Sequence, residues 1–153
     1  MRADDKPFAD RVQRVREFNR FYTRYLGLLN EGLYGSRFTL AEVRVLFELT
    51  HRRDATATLL CASLGMDAGF LSRILRRFEK AGLIRRKRSQ QDGRHKVLSV
   101  TPRGRSAFAP LDVGANRQVA SLLGQMSATS QERLLGAMTV VRELMEDTMP
   151  SSA

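Results

Sequence analysis

Between Asp10 and Leu29, apolar side chains recur at Val12, Val15, Phe18, Tyr22, Tyr25, Leu26 and Leu29. Steps of three and four line one side of a 3.6-residue helix, so the stretch predicts a long amphipathic helix. Gly32 and the Gly35-Ser36 pair break it. In the next apolar run, FTLAEVRVLFEL, Thr39 and Glu42 make a capping box, and Phe38 and Val43 are spaced as a hydrophobic staple. A second helix is expected from there to about His51. Thr56 caps a short third helix through Leu64, which Gly65 stops. Asp67 caps a fourth, AGFLSRILRRFEKA, closed by Gly82. Its apolar stripe is Leu71, Ile74, Leu75 and Phe78. Ala68, Gly69, Ser72, Arg73, Arg76 and Arg77 face outward.

After Gly82 the period changes. Leu83–Ser89 and His95–Val100 read as short strands joined by Gln90-Gln91-Asp92-Gly93, hence a hairpin. Thr101 caps a long helix with Pro102 at its first position. Pro110 and Gly114 fall inside that helix and predict a bend. Thr129 and Glu132 form a second capping box. It opens a last helix with Leu134, Leu135, Met138, Val141, Leu144 and Met145 on one side. Two short helices joined at a glycine, followed by a hairpin, define a mainly α, winged helix-turn-helix fold.

Charge sharpens this picture. The 153 residues carry a formal net charge of +10. Residues 73–105 alone hold twelve basic side chains against Glu79 and Asp92, so this one segment carries the whole excess. The remainder sums to zero. Solubility charge would be dispersed, whereas a concentrated block points to a polyanion, nucleic acid before membrane. With 42% apolar residues the chain can build a core, and it has no apolar run of membrane-spanning length. A single cysteine excludes an internal disulfide, and two histidines beside it argue against structural zinc. No cofactor and no catalytic constellation is expected, and the expected location is the cytoplasm.

The segment from Asp67 to Gly104 resembles the signature region of MarR-family transcription regulators. LSRILRRFEKAGLIRR is similar to that family's recognition helix and departing strand, and DGRHKVLSVTPRG to its wing motif. The resemblance extends over nearly the whole chain. It implies one MarR-like domain over 1–153, with a DNA-binding lobe at 37–101 and a helical dimerisation lobe from 8–30 plus 102–149. It implies that Arg94 at the wing tip enters a minor groove, and that Asp92 braces the wing through Arg86 or Arg94. The opening stretch FNRFYTRYLGLLNEGLYGS also resembles the regulator half of fusions with a GNAT-type acetyltransferase. The chain has no room for that enzyme, so it is expected to be either a stand-alone relative or a fragment.

The residues expected to meet DNA are Ala68, Gly69, Ser72, Arg73, Arg76 and Arg77 on the helix, and Arg86, Arg88, Asp92, Arg94 and Lys96 on the wing. Arg73 suits guanine, and Ser72 a phosphate. Arg85, Lys87 and Arg103 read as backbone clamps. A small aromatic or phenolic acid is the effector class the family implies, in a crevice between the two lobes. Asn19, Arg20, Tyr22, Arg44 and Phe47 are the candidate lining. Cys61 reads as packing and His51 as a surface residue. The expectation is a homodimer on a pseudo-palindromic double-stranded site, acting as a repressor released by its effector. Two alternatives stand beside it: the regulatory half of an acetyltransferase fusion, and an architectural DNA binder without effector.

Overall fold

Side-chain caps set most of the element boundaries in the computed structural model of the chain, which describes residues 5–27, 35–88 and 96–148. The backbone divides into two units, 1–43 and 44–153.

In the first unit, helix α1 runs Asp5–Tyr25. It starts before Asp10 because Pro7 sits in the first turn, where its missing N–H breaks no hydrogen bond. It stops short of Leu29 because Gly27 takes a left-handed φ of 66°. Leu29 and Gly32 lie outside the described residues. Along the helix Phe18 stacks on Tyr22 at 5.7 Å and Phe21 on Tyr25 at 6.0 Å, both four residues apart. From Lys6 to Tyr25 no residue is buried.

Helix α2 (Leu40–His51) begins in the first unit and ends in the second. Its capping box forms as expected: the Thr39 N–H donates to the Glu42 carboxylate at 2.9 Å, and the Glu42 N–H donates to Thr39 Oγ1 at 3.3 Å.

In the second unit, α3 (Ala57–Leu64) is capped by Thr56 and ended by Gly65 at φ 60°. Helix α4 (Ala68–Lys80) is capped by Asp67, whose carboxylate accepts from the Phe70 N–H at 2.8 Å. Leu71, Ile74, Leu75 and Phe78 are all buried, as the periodicity requires. Strands β1 (Ile84–Arg88) and β2 (Lys96–Val100) pair antiparallel, with Ile84 opposite Val100 and Arg88 opposite Lys96. The hairpin turn lies outside the described residues. Ala55 adds a single bridge to Leu98, its carbonyl accepting the Leu98 N–H at 2.8 Å. Short loops give no periodic signal, so nothing in the sequence pattern announces this third edge.

Helix α5 (Pro102–Gly124) begins where the chain comes closest to itself. The Thr101 hydroxyl donates to the Gly82 carbonyl at 2.7 Å and accepts the Gly104 N–H at 3.0 Å. The Thr101 N–H donates to the Leu83 carbonyl at 2.9 Å. A Cβ on Gly104 would stand 2.1 Å from that same carbonyl oxygen and 2.7 Å from Val100 Cγ1. Pro110 does not interrupt the element, since α5 remains one helix through it. Helix α6 (Ala128–Glu146) starts ahead of the predicted box. Ser127 caps it, accepting the Ser130 N–H at 3.2 Å, so at Thr129 the helix is already under way. The Gln131 amide donates to the Leu123 carbonyl at 2.9 Å and secures the α5–α6 turn. No residue of α6 is buried.

Gly104→Ala forces a methyl into backbone and should cost about 1–3 kcal/mol or more. That corresponds to a Tm fall of roughly 2–4 °C per kcal/mol in a chain of this size. Thr101→Val, which removes the cap, should cost about 1 kcal/mol. Exposed Ser106→Ala should stay within about 0.5 kcal/mol of the parent. Thermal unfolding at equal protein concentration checks the order.

Candidate nucleic-acid interface

Helix α4 presents two unlike faces. The buried stripe packs against the rest of the second unit, and the N-terminus is closed by the Asp67 cap on the Phe70 N–H. Ala68, Gly69, Arg73, Arg76 and Arg77 are exposed, and Ser72 is half-buried. Three basic side chains thus share the exposed surface of one helix, an arrangement suited to a polyanion.

Phe70 lies on this surface as well, 41% exposed and outside the buried stripe. The Arg73 guanidinium sits over its ring, 5.9 Å from the centroid. Periodicity does not single this residue out. The signal that could have found it is an aromatic three positions before an arginine, off the apolar period.

The hairpin register decides which way each wing arginine turns. Opposite residues of an antiparallel pair share a face. Arg86 pairs with Leu98, and so lies on the same face as buried Ile84, Leu98 and Val100. From there it reaches back to α4, its Nε donating to Glu79 Oε1 at 2.9 Å. Both side chains remain about one-third exposed, so the pair positions the hairpin more than it stabilises the chain. On the other face, Arg85 Nε donates to Ser99 Oγ at 3.2 Å, and Lys87 is exposed. Lys96 is exposed at the start of β2, opposite the backbone of Arg88. Asp92 and Arg94 lie outside the described residues, as does the expected brace between Asp92 and an arginine.

Of the expected effector residues, Asn19, Arg20 and Tyr22 belong to α1, and Arg44 and Phe47 to α2. Tyr22 is half-buried; Asn19, Arg20 and Arg44 are exposed. Phe47 has aromatic company of its own, stacking on His51 at 4.2 Å and meeting Phe108 edge-on at 6.2 Å. His51 Nδ1 lies 2.8 Å from the Phe47 carbonyl. Cys61 is half-buried on α3. A depression of about 400 Å³ at the α5–α6 turn is lined by Met126, Ser130, Arg133 and Leu134, and by none of the five expected residues.

A helix-turn-helix whose second helix carries an open basic face, braced by a basic hairpin, defines a winged-helix DNA-binding protein. Residues 38–95 match the model of the MarR family, and the fold is that of MarR-type transcription regulators. FabT of Streptococcus pneumoniae, solved in complex with DNA, is 23% identical at a TM-score of 0.78, covering 90% of this chain and 99% of that one. A probable transcriptional regulator from Pseudomonas aeruginosa is 27% identical at 0.64, covering 81% and 92%. BpsR of Bordetella bronchiseptica, whose DNA binding is regulated by 6-hydroxynicotinic acid, is 17% identical at 0.68, covering 87% and 98%. No curated protein matches the chain significantly. Among the described residues no helix is long and apolar enough to cross a membrane.

DNA affinity should fall steeply as salt rises, through release of condensed counterions. Arg76→Ala should lower the slope of log K against log salt by about one for each phosphate that this arginine neutralises. Arg86→Ala should change the slope less, because Glu79 already holds that guanidinium. Fluorescence anisotropy across a salt series measures both.

Proposed function

We propose that the chain is a sequence-specific, double-stranded DNA-binding repressor that acts as a homodimer in the cytoplasm and is released by a small aromatic acid. The observation that carries the DNA-binding part is the open face of Arg73, Arg76 and Arg77 on a helix tied to a basic hairpin. Ala68, Gly69 and Ser72 border that face and allow close approach to the backbone of DNA. Arg88, Lys96 and, through the family resemblance, Arg94 extend the contact along the wing, with Asp92 bracing it. Arg86 contributes chiefly by holding the wing to the recognition helix.

Dimerisation is supported by α6. A 19-residue helix with an apolar side at Met138, Val141, Leu144 and Met145 leaves all four exposed and has no fully buried residue. Most helical stability in a protein comes from packing of an apolar face, and this exposed face calls for a covering partner. Helix α1 leaves Val12, Val15 and Phe18 exposed in the same way. A two-fold pair covers both sets and sets two recognition helices about 34 Å apart, one turn of DNA.

The effector is supported by the regulation of BpsR by 6-hydroxynicotinic acid. Arg20 and Arg44 offer cations for a carboxylate, and Tyr22 and Phe47 offer flat apolar surfaces. Release requires that the effector bind the DNA-free form more tightly, and operator DNA must then weaken effector binding by the same factor.

A footprint on the gene's own upstream region should show protected half-sites about one helical turn apart; the absence of any protected site would overturn the reading. Light scattering at micromolar concentration should give a dimer, and Val141→Asp should shift it toward monomer and abolish DNA binding. Calorimetry with aromatic carboxylic acids should find ligands that Arg20→Ala and Arg44→Ala each weaken. Binding unaffected by either variant would place the effector elsewhere, and no binding at all would favour the architectural alternative.

A further inference from the structure

The first turn of α4 holds a side chain that neither the core nor the basic face accounts for. Phe70 is 41% exposed, although burying its ring would be strongly favourable. It is flanked by a glycine, and Arg73 lies over it one turn along. A Cβ on Gly69 would stand 3.1 Å from the Asp67 carboxylate and in ordinary contact, 3.8 Å, with Arg73 Nη1. The guanidinium rests over the Phe70 ring, 5.9 Å from its centroid. The backbone beneath is held by the Asp67 cap on the Phe70 N–H.

We propose that Phe70 and Arg73 act as one composite reader of a thymine–guanine step in the major groove, with Phe70 the specificity-determining member. The proposal rests on the DNA-binding reading above. Residues in the first turns of a recognition helix are those that meet base edges. Guanine offers two acceptors, O6 and N7, which match the forked donors of an arginine. The thymine C5-methyl is the apolar group that unmodified DNA displays in that groove, and an exposed phenyl ring is its complement. The guanidinium lies 5.9 Å from the ring centroid, so the two bases they read are neighbours. The ring also restricts the guanidinium before DNA arrives, so its bidentate contact forms at a smaller entropic cost.

The test begins with selection of a site from a random duplex library by the whole chain. A thymine beside a guanine should appear in each half-site. Replacing that thymine by deoxyuracil removes the methyl and nothing else. Affinity of the parent should fall about four-fold per half-site, the worth of one buried methyl-sized group. Phe70→Ser, with unchanged circular dichroism, should bind the thymine and uracil duplexes equally. Arg73→Lys should lose the guanine preference and keep the uracil penalty. Three results would each overturn the proposal: a selected site without a thymine–guanine step, equal binding of both duplexes by the parent, or a uracil penalty that survives in Phe70→Ser. The parent comparison needs no variant, so a poorly folded Phe70→Ser leaves the proposal open to refutation. If the chain selects no duplex at all, the DNA-binding reading itself falls, and this proposal with it.

Discussion

The contact between the start of α5 and the exit of α4 holds the DNA-binding elements in their arrangement. Gly104 has no Cβ, so the helix can press against the Leu83 carbonyl, where a methyl would leave 2.1 Å. Thr101 closes the contact with its backbone N–H on Leu83 and its hydroxyl between Gly82 and Gly104. The two outer ends of the hairpin are thereby joined at its base, and that base is joined to the recognition helix. The Ile84–Val100 register follows from this closure, and with it the face that each later residue occupies. Thr101 and Gly104 of the Thr-Pro-Arg-Gly stretch are thus structural elements of the wing motif.

One consequence is electrostatic. With Arg86 on the inner face of the hairpin, the Glu79 carboxylate is engaged by a wing arginine. A cluster of like charges left this open destabilises its own fold slightly through repulsion. It is tolerable where a polyanion neutralises it. The exposed apolar side chains of α1 and α6 are what the proposed dimer rests on.

Much of the winged helix was legible because its signals are local. A cap is a side chain bonded to a backbone three residues away, so Thr39, Thr56, Asp67 and Thr101 could be read without knowing the fold. The errors were local competitions. Gly27 ended α1 before Gly32 could, and Ser127 capped α6 before Thr129 could. Phe70 escaped because periodicity sorts residues into a buried stripe and a polar remainder, and an exposed aromatic fits neither class.

The order of helices and strands, the stripe Leu71–Ile74–Leu75–Phe78 and the concentration of positive charge were determined by the sequence alone, because each depends on spacing within a few turns of chain. The tertiary structure decided the rest. Nothing local states that Arg86 faces Glu79 while Arg85 meets Ser99; that depends on a register set between residues on two separate strands. Nothing local marks Gly104 as the point where a Cβ cannot fit, since the obstructing carbonyl belongs to Leu83, on the far side of the hairpin in sequence. Such pairs are brought together only when the apolar core closes, so their geometry cannot be read from the spacing of residues along the chain.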